Sequence, residues 1–475
     1  MGIPDDSTSQ PVIAHCRGLL VAGLLLVVAC DTSVTNPGLV PDDALDRPEA
    51  WPAIVIGARR ALADALGSAS GTGGQVLYWG AAVSYEINPA GSTGSFGIPP
   101  DVQGGSLGEQ TTNADWTSSN QARFVAEAAI RRFRRVMPDT LFAKSILVAQ
   151  AYLYAGYANR LLGENFCQSV IPIENPDGSL APGFLGSHTL YFLRADTAFT
   201  NAIAVATASG KADTATTSLI RAARAGRASV RADLATYGQA SWSDAVTDAA
   251  LVPDTTTFRV PYSSQNTDQY NYLYWARAAT PYRAHTQWGT FFEDYYRTTR
   301  DPRVPWDSTA LTGDAAVGKF GGSVPFWPEA KYTKTTDPVR LSSGWEMRLI
   351  EAEAALVASD LPTAQAKLNA RRRALRADTT LAKTLDTVVV ATVADGWTAL
   401  KTERAIELWL EARRLGDLRR WIDNSVPGTP PDGLYRANTS DVLHATPIET
   451  MTSPVARSLC FAVGKNERDT NPNIP

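Results

Sequence analysis

Apolar residues recur at helical spacing over most of this chain. In residues 141–162, LFAKSILVAQAYLYAGYANRLL, Phe142, Ile146, Ala149 and Leu153 fall on one stripe, and Gly163 follows where a helix could end. The same period, carried largely by alanine, predicts helices over 51–65, 120–136, 189–209, 217–237 and 243–250. It returns at 345–358 and at 360–375, where Asp360 caps the start and Pro362 stands just inside. A last long helix is expected over 397–415, capped by Gly416, with a short one beginning at Asp417. Paired Ala-rich helices at short spacing predict a mostly α fold, a tetratricopeptide-like superhelix.

Two stretches break the pattern. Residues 66–120 are rich in Gly, Ser and Thr and read as long loops around short elements. Between 254 and 344 periodicity fades and aromatic residues rise, which reads as an irregular lobe inserted between helical blocks. The expected organisation is a helical scaffold over 49–253 with its loop-rich insertion, the aromatic lobe, and C-terminal helices and tail over 345–475.

The N-terminus reads differently from the rest. Residues 18–29, GLLVAGLLLVVA, form a twelve-residue apolar run behind Arg17. That is too short to span a bilayer and suits the core of a secretory signal over 1–29. The run ends VVAC, which resembles a bacterial lipobox, so Cys30 is the expected lipid attachment. An extended tether is expected over 30–48. With Cys16 in the signal and Cys30 acylated, Cys167 and Cys460 remain, two thiols that one disulfide would pair in an exported protein.

Charge narrows the function. Charged residues are 19% of the chain and net charge is −4, which argues against nucleic acid as a partner. Yet residues 403–421, ERAIELWLEARRLGDLRRW, crowd acids and arginines among large apolar side chains. Glu403, Glu407 and Glu411 stack at four-residue spacing, with Arg404 and Arg414 within helical reach and Asp417 and Arg420 across Gly416. Alternating signs beside Leu and Trp predict a partly buried ion-pair network, for which the arginine fork is suited.

The same stretch resembles the C-terminal signature of SusD/RagB-like outer-membrane nutrient-uptake lipoproteins. Residues 346–356, EMRLIEAEAAL, followed by Leu368, Asn369, Ala370 and Arg372, resemble that family's penultimate helix pair. Residues 151–166, AYLYAGYANRLLGENF, resemble an early helix, and 30–38, CDTSVTNPG, the mature N-terminus. DPRVPW at 301–306 fits a recurrent turn. Ala412 departs from the pattern, which often has Gly two before its central Arg. The resemblance implies a lipid-anchored protein of the outer membrane, held through Cys30 at the cell surface. It implies capture of an oligosaccharide or other nutrient for a SusC-like TonB-dependent transporter, with no enzymatic step and no cofactor.

Two other classes compete. A helical scaffold could bind peptide or protein in its groove. A glycoside hydrolase needs two carboxylates whose separation the sequence does not reveal. GGSLG at 104–108 matches G-x-S-x-G but lacks the strand before and the helix after that a nucleophile elbow requires. His188, His285 and His444 are far apart and show no metal-ligand spacing, so no metal is expected.

A surface that captures sugars needs flat rings beside polar donors and acceptors. Trp79, Tyr85 and Trp116 lie among Asn88, Asp101 and Gln103. Tyr282, Trp288, Trp306 and Trp327 lie beside Arg283, Gln287 and Asp307. These two regions are expected to converge on one face, with Trp79, Trp288 and Trp327 as the leading ligand platforms.

Overall fold

The computed structural model describes residues 41–69, 73–90, 97–278, 282–313, 325–380, 385–431 and 457–475. The expected signal segment, Cys30 and His444 lie outside the described residues.

Small side chains set how closely the helices approach. The first half comprises α1 (Trp51–Gly67), α2 (Val76–Val83), α3 (Pro100–Gln103), α4 (Asn113–Val136), α5 (Asp139–Phe142), α6 (Ile146–Asn165), α7 (Thr189–Ala208), α8 (Thr214–Thr236) and α9 (Trp242–Ala250). The second comprises α10 (Tyr272–Ala278), α11 (Phe291–Thr299), α12 (Gly344–Val357), α13 (Leu361–Ala377), α14 (Val393–Glu407), α15 (Arg414–Asp423) and, near the C-terminus, α16 (Lys465–Thr470). Successive long helices pack on one another: α1 on α4, α4 on α6, α6 on α7, α7 on α8 and α8 on α9. Phe199 of α7 is clamped between Gly156 of α6 and Gly226 of α8, where an added Cβ would fall 2.6 and 2.4 Å from its ring. Alanine at either site would force the helices apart.

The stack then skips the aromatic lobe. α9 packs directly on α12, and α12 on α13 and α14, although 93 residues separate α9 from α12 in sequence (343 − 250). The lobe's two ends are tied by β6 (Thr257–Val260) and β8 (Val339–Ser343), which pair antiparallel from Thr257↔Ser343 to Val260↔Val339. It is therefore a closed insertion with a two-stranded neck, and the superhelix runs on beneath it. The remaining strands are short antiparallel pairs: β1 (Asn88–Pro89) with β7 (His285–Thr286), β2 (Gln168–Val170) with β5 (Leu185–Ser187), and β3 (Ile173–Glu174) with β4 (Leu180–Ala181).

Several boundaries differ from the sequence expectation. The stretch read as loops over 66–120 holds the buried helix α2 and the first turns of α4. Leu141 and Phe142 belong to the single turn α5, and Gly163 lies inside α6 with Phe192 packed on it. The tether has given way to structure by Asp42: Asp42 and Asp46 form ion pairs with Arg132, and Asp46 with Arg135, on α4.

The largest departure is at the signature stretch. α14 ends at Glu407 rather than Leu415, and Gly416 lies inside α15, its Cα facing the Glu164 backbone. Between the two helices Leu410 and Ala412 take positive φ, 55° and 59°. The turn's backbone groups are held from outside. Leu410 N–H donates to Glu86 Oε1 at 2.8 Å, Tyr332 Oη donates to the Leu410 carbonyl at 2.8 Å, and Asn165 Nδ2 donates to the Ala412 carbonyl at 3.2 Å. The left-handed conformation at 412 is one that glycine adopts without strain, and alanine there bears a cost of about 1 kcal/mol.

Candidate functional site

The two loop regions meet at a threonine hydroxyl. Pairing of Asn88 with Thr286 and Pro89 with His285 joins them. Thr286 Oγ1 accepts from the backbone N–H of Trp327 (3.0 Å) and of Trp288 (3.1 Å) and donates to the Pro325 carbonyl (2.8 Å). Asn88 Nδ2 donates to the Trp288 carbonyl at 2.9 Å, and Gln287 N–H to the Trp327 carbonyl at 2.7 Å. One side chain thus sets the backbone of two candidate platforms, and a third is stacked on the second.

Trp306 and Trp327 lie parallel, with centroids 5.2 Å apart and planes 13° from coincident. Trp306 is the inner ring, 8% exposed, and its indole N–H donates to the Glu293 carbonyl at 3.2 Å. Trp327 and Trp288 are half-buried. Arg297 of α11 holds its guanidinium 5.5 Å from the Trp327 centroid and 5.9 Å from that of Trp306, a cation–π geometry. Arg297 also pairs with Glu293 and Asp294. The result is a flat apolar surface with charged donors and acceptors at its edge.

The other expected residues are placed differently. Trp116 is a core residue, 3% exposed: its ring meets Phe166 edge-on at 5.4 Å and its N–H points to Glu467 Oε2 at 3.4 Å. It anchors the C-terminal tail and offers no face to a ligand, which corrects the expectation. Trp79 is half-buried on α2 and packed against the core, with its indole N–H buried and donating to no protein atom. Tyr85 is half-buried at φ 64°, with the Arg457 guanidinium 3.2 Å from its ring centroid. Tyr282 is half-buried. Of the polar neighbours, Gln103 and Gln287 are buried, and Gln103 is turned to the Ile98 carbonyl; Asp307 is exposed. Thr286 and Arg297 were invisible to sequence reasoning, because their roles depend on contacts across the lobe.

The ion-pair residues are all buried, and apart from Asp417–Arg420 within α15 their partners lie on other elements rather than along one helix. Arg404 grips Asp417 with two hydrogen bonds, 2.8 and 2.9 Å. Glu403 lies between Arg303 (2.9 Å) and Arg372 (2.6 Å). Glu407 pairs with Arg340 (2.9 Å) and Arg303 (3.3 Å), and Glu411 with Arg340 (2.9 Å) and Lys331 (2.6 Å). Arg420 meets Glu353 and Asp417. Arg414 departs from the expected pairing, donating to the carbonyls of Ser84 (2.9 Å) and Pro431 (2.5 Å). One further member, Arg413, was missed. Arg413 pairs with Glu164 and Glu346, and Arg419 donates to the Phe166 and Glu164 carbonyls at the end of α6, doing the capping expected of Gly163. Burial opposes charge on Asp417, but Arg404 and Arg420 outweigh it and hold the carboxyl at about 2.

Cys167 and Cys460 are joined as a disulfide, Cα atoms 5.1 Å apart. His285 is buried beside the Tyr78 hydroxyl at 3.3 Å, and burial, then Arg277, pulls its pKa down to about 3. His188 is lowered to about 3 by burial and Arg419. Among the described residues no group of three or more His, Cys, Asp or Glu is arranged to hold a metal ion.

Comparison with known proteins shows what this fold resembles. The SusD family model matches residues 325–470. A SusD homolog from Bacteroides thetaiotaomicron VPI-5482 has the same fold, with a TM-score of 0.60 at 14% identity over 90% of this chain and 96% of that one. The chain has a SusD-like fold. A SusD superfamily protein from Bacteroides vulgatus ATCC 8482 is similar at TM-score 0.57 and 16% identity, covering 90% of this chain and 98% of its own. A laminarin-binding SusD-like protein is similar at TM-score 0.56 and 15% identity, covering 88% and 98%. No curated protein matches in sequence.

The region matched by the SusD family model takes in Trp327 and the whole 403–421 stretch but not Trp288 or Trp306. The ion pairs that fix the scaffold thus fall largely inside the matched region, while two of the three clustered tryptophans fall outside it.

Proposed function

We propose that this chain is a lipid-anchored surface protein that captures oligosaccharide on the Trp288, Trp306 and Trp327 cluster and delivers it to a SusC-like TonB-dependent transporter. The observation that carries this reading is the parallel Trp306–Trp327 pair, backed by a buried ring, edged by Arg297 and Asp294, and fixed through Thr286. A sugar presents apolar C–H faces with hydroxyls around them, and this surface has the matching order of ring and rim. Laminarin binding by one structural neighbour, and carbohydrate binding by a SusD-like protein from Bacteroides vulgatus ATCC 8482, support the ligand class.

Attachment to the outer membrane in this reading rests on Cys30. No helix among the described residues is long and apolar enough to cross a membrane. Acyl chains on Cys30 would hold the protein at the surface, and two chains are needed for stable anchoring. The reading assigns no catalytic step: the clustered rings bind, and release to the transporter completes the task.

The test is direct binding of the mature chain to a panel of oligosaccharides, with a peptide library in parallel and product analysis of every mixture. Saturable binding of a glycan that is recovered intact is expected. Binding confined to peptides would assign the chain to peptide capture, and shortened glycan products would make it a hydrolase.

A further inference from the structure

An open polar cleft of about 610 Å³ is lined by β6, β8, α13, the turn after α14 and the segments around 302–305 and 330–338. Ala330 N–H donates to the Pro305 carbonyl and both residues line the cleft, whereas Trp306 and Trp327, the stacked rings, do not line it.

Its wall carries five cations, Arg259, Arg303, Lys331, Arg340 and Arg371, against the carboxylates of Asp337, Glu407 and Glu411. Three cations are already matched. Arg303 is shared among Asp301, Glu403 and Glu407, so acids behind the wall neutralise it. Arg340 spans Glu407 and Glu411, and Lys331 binds Glu411. Asp337 is occupied as well, accepting from the backbone N–H groups of Thr333 and Lys334.

Two guanidiniums are left over. Arg371 stands 3.7 Å from Glu407, beyond hydrogen-bond reach, and its buried Nε donates to no protein atom. Its fork lies 4.8 Å from the Trp345 ring centroid, which fixes its orientation. Burial, with Arg303 and Arg340 adding to it and Glu407 only partly offsetting, lowers its pKa from the usual guanidinium value. Arg259 is exposed on β6 and gives one hydrogen bond, 2.8 Å, to Thr257 Oγ1 on its own strand. Among the described residues neither arginine hydrogen-bonds a carboxylate.

We propose that this cleft binds a small oxyanion, a carboxylate or sulfate group, between Arg259 and Arg371. The planar guanidinium fork matches such groups in two-point geometry, and both forks have donors to give. A monosaccharide bearing one acidic group is small enough for the space. The site is independent of the tryptophan surface, so its failure would leave the glycan reading untouched.

The experiment is calorimetric titration of the mature chain at fixed ionic strength with glucuronate, with inorganic sulfate, and with glucose as the uncharged control. Saturable binding of glucuronate, of sulfate or of both is expected, with none for glucose. Glucuronate alone identifies an acidic sugar, and sulfate alone an inorganic oxyanion or sulfate ester. Arg259→Gln and Arg371→Gln should each weaken binding at least tenfold. Arg259 is a surface residue, so its variant tests the site even if Arg371→Gln fails to fold. Absence of saturable binding for both anions, or unchanged affinity in Arg259→Gln, overturns the proposal.

Discussion

Arg420 of α15 reaches both oxygens of Glu353 on α12, Nη1 to Oε1 at 2.5 Å and Nη2 to Oε2 at 2.9 Å. Both residues are buried, and Nε of the same guanidinium donates to Asp417 at 3.0 Å. Removing one partner strands a buried charge, which costs about 3–5 kcal/mol, whereas replacing both by apolar residues of similar volume can be close to neutral. Arg420→Ala should therefore lower unfolding free energy by about that amount, and Arg420→Leu with Glu353→Leu should recover part of it. Denaturant titration of the three proteins checks this, and a double variant no better than the single would show that the pair's geometry is itself required.

Asp417 makes the same cluster sensitive to acid. Its folded pKa, about 2, lies below the ordinary value of 3.8, so its contribution is present above 3.8 and is lost as pH falls through about 2. A shift of this size corresponds to about 2 kcal/mol. Asp417→Asn should remove this part of the acid limb in melting temperature measured from pH 5 to pH 2. An unchanged limb would place the acid sensitivity elsewhere.

Asp115 is predicted to act in the opposite sense. It is buried on α4, accepts from Gln75 N–H at 2.6 Å, and has its second oxygen without a partner. Burial raises its pKa to about 7. The folded state therefore holds this proton more tightly, and its stability contribution, full below 3.8, is lost as pH rises through about 7. Asp115→Asn keeps the acceptor and removes the charge, so it should raise the melting temperature at pH 8 and change it little at pH 5. Equal effects at both pH values would contradict the assignment.

The Cys167–Cys460 bridge closes 293 residues of chain. Next to it Phe461 N–H donates to the Asn165 carbonyl, Cys167 N–H to that of Phe461, and the Phe461 ring is fully buried. Loop closure on this scale is worth on the order of 5 kcal/mol in the chain-entropy model. Cys460→Ser should destabilise by up to that amount and make residues near 461 exchange amide hydrogens faster. Peptide mapping without reductant that recovers two free thiols would refute the bridge.

Helices carried by alanine period were readable along the chain; α7 was expected over 189–209 and is Thr189–Ala208. The end of α14 was not. Leu408, Trp409 and Leu410 continue the apolar pattern, and the turn's backbone groups are taken by Glu86, Asn165, Lys331 and Tyr332, all more than 70 residues away in sequence. Local spacing likewise paired each charge with a helical neighbour, because Glu353 and Arg303 are distant in sequence from their partners. Tryptophan in a Gly-rich stretch gave no sign of which ring would be buried: Trp116 enters α4 and meets the tail, while Trp288 and Trp327 are gathered by Thr286.

In the proposed function the half-buried tryptophans bind sugar rather than fill a core. The most direct measurement is affinity of Trp327→Ala and Trp288→Ala for the glycan that the parent chain binds, with melting temperature recorded on the same samples. Loss of a platform ring should cost about 1–3 kcal/mol of binding, roughly 5- to 150-fold in Kd, with little change in melting temperature. Parent-like affinity in both variants, or unfolding of both, would contradict the account.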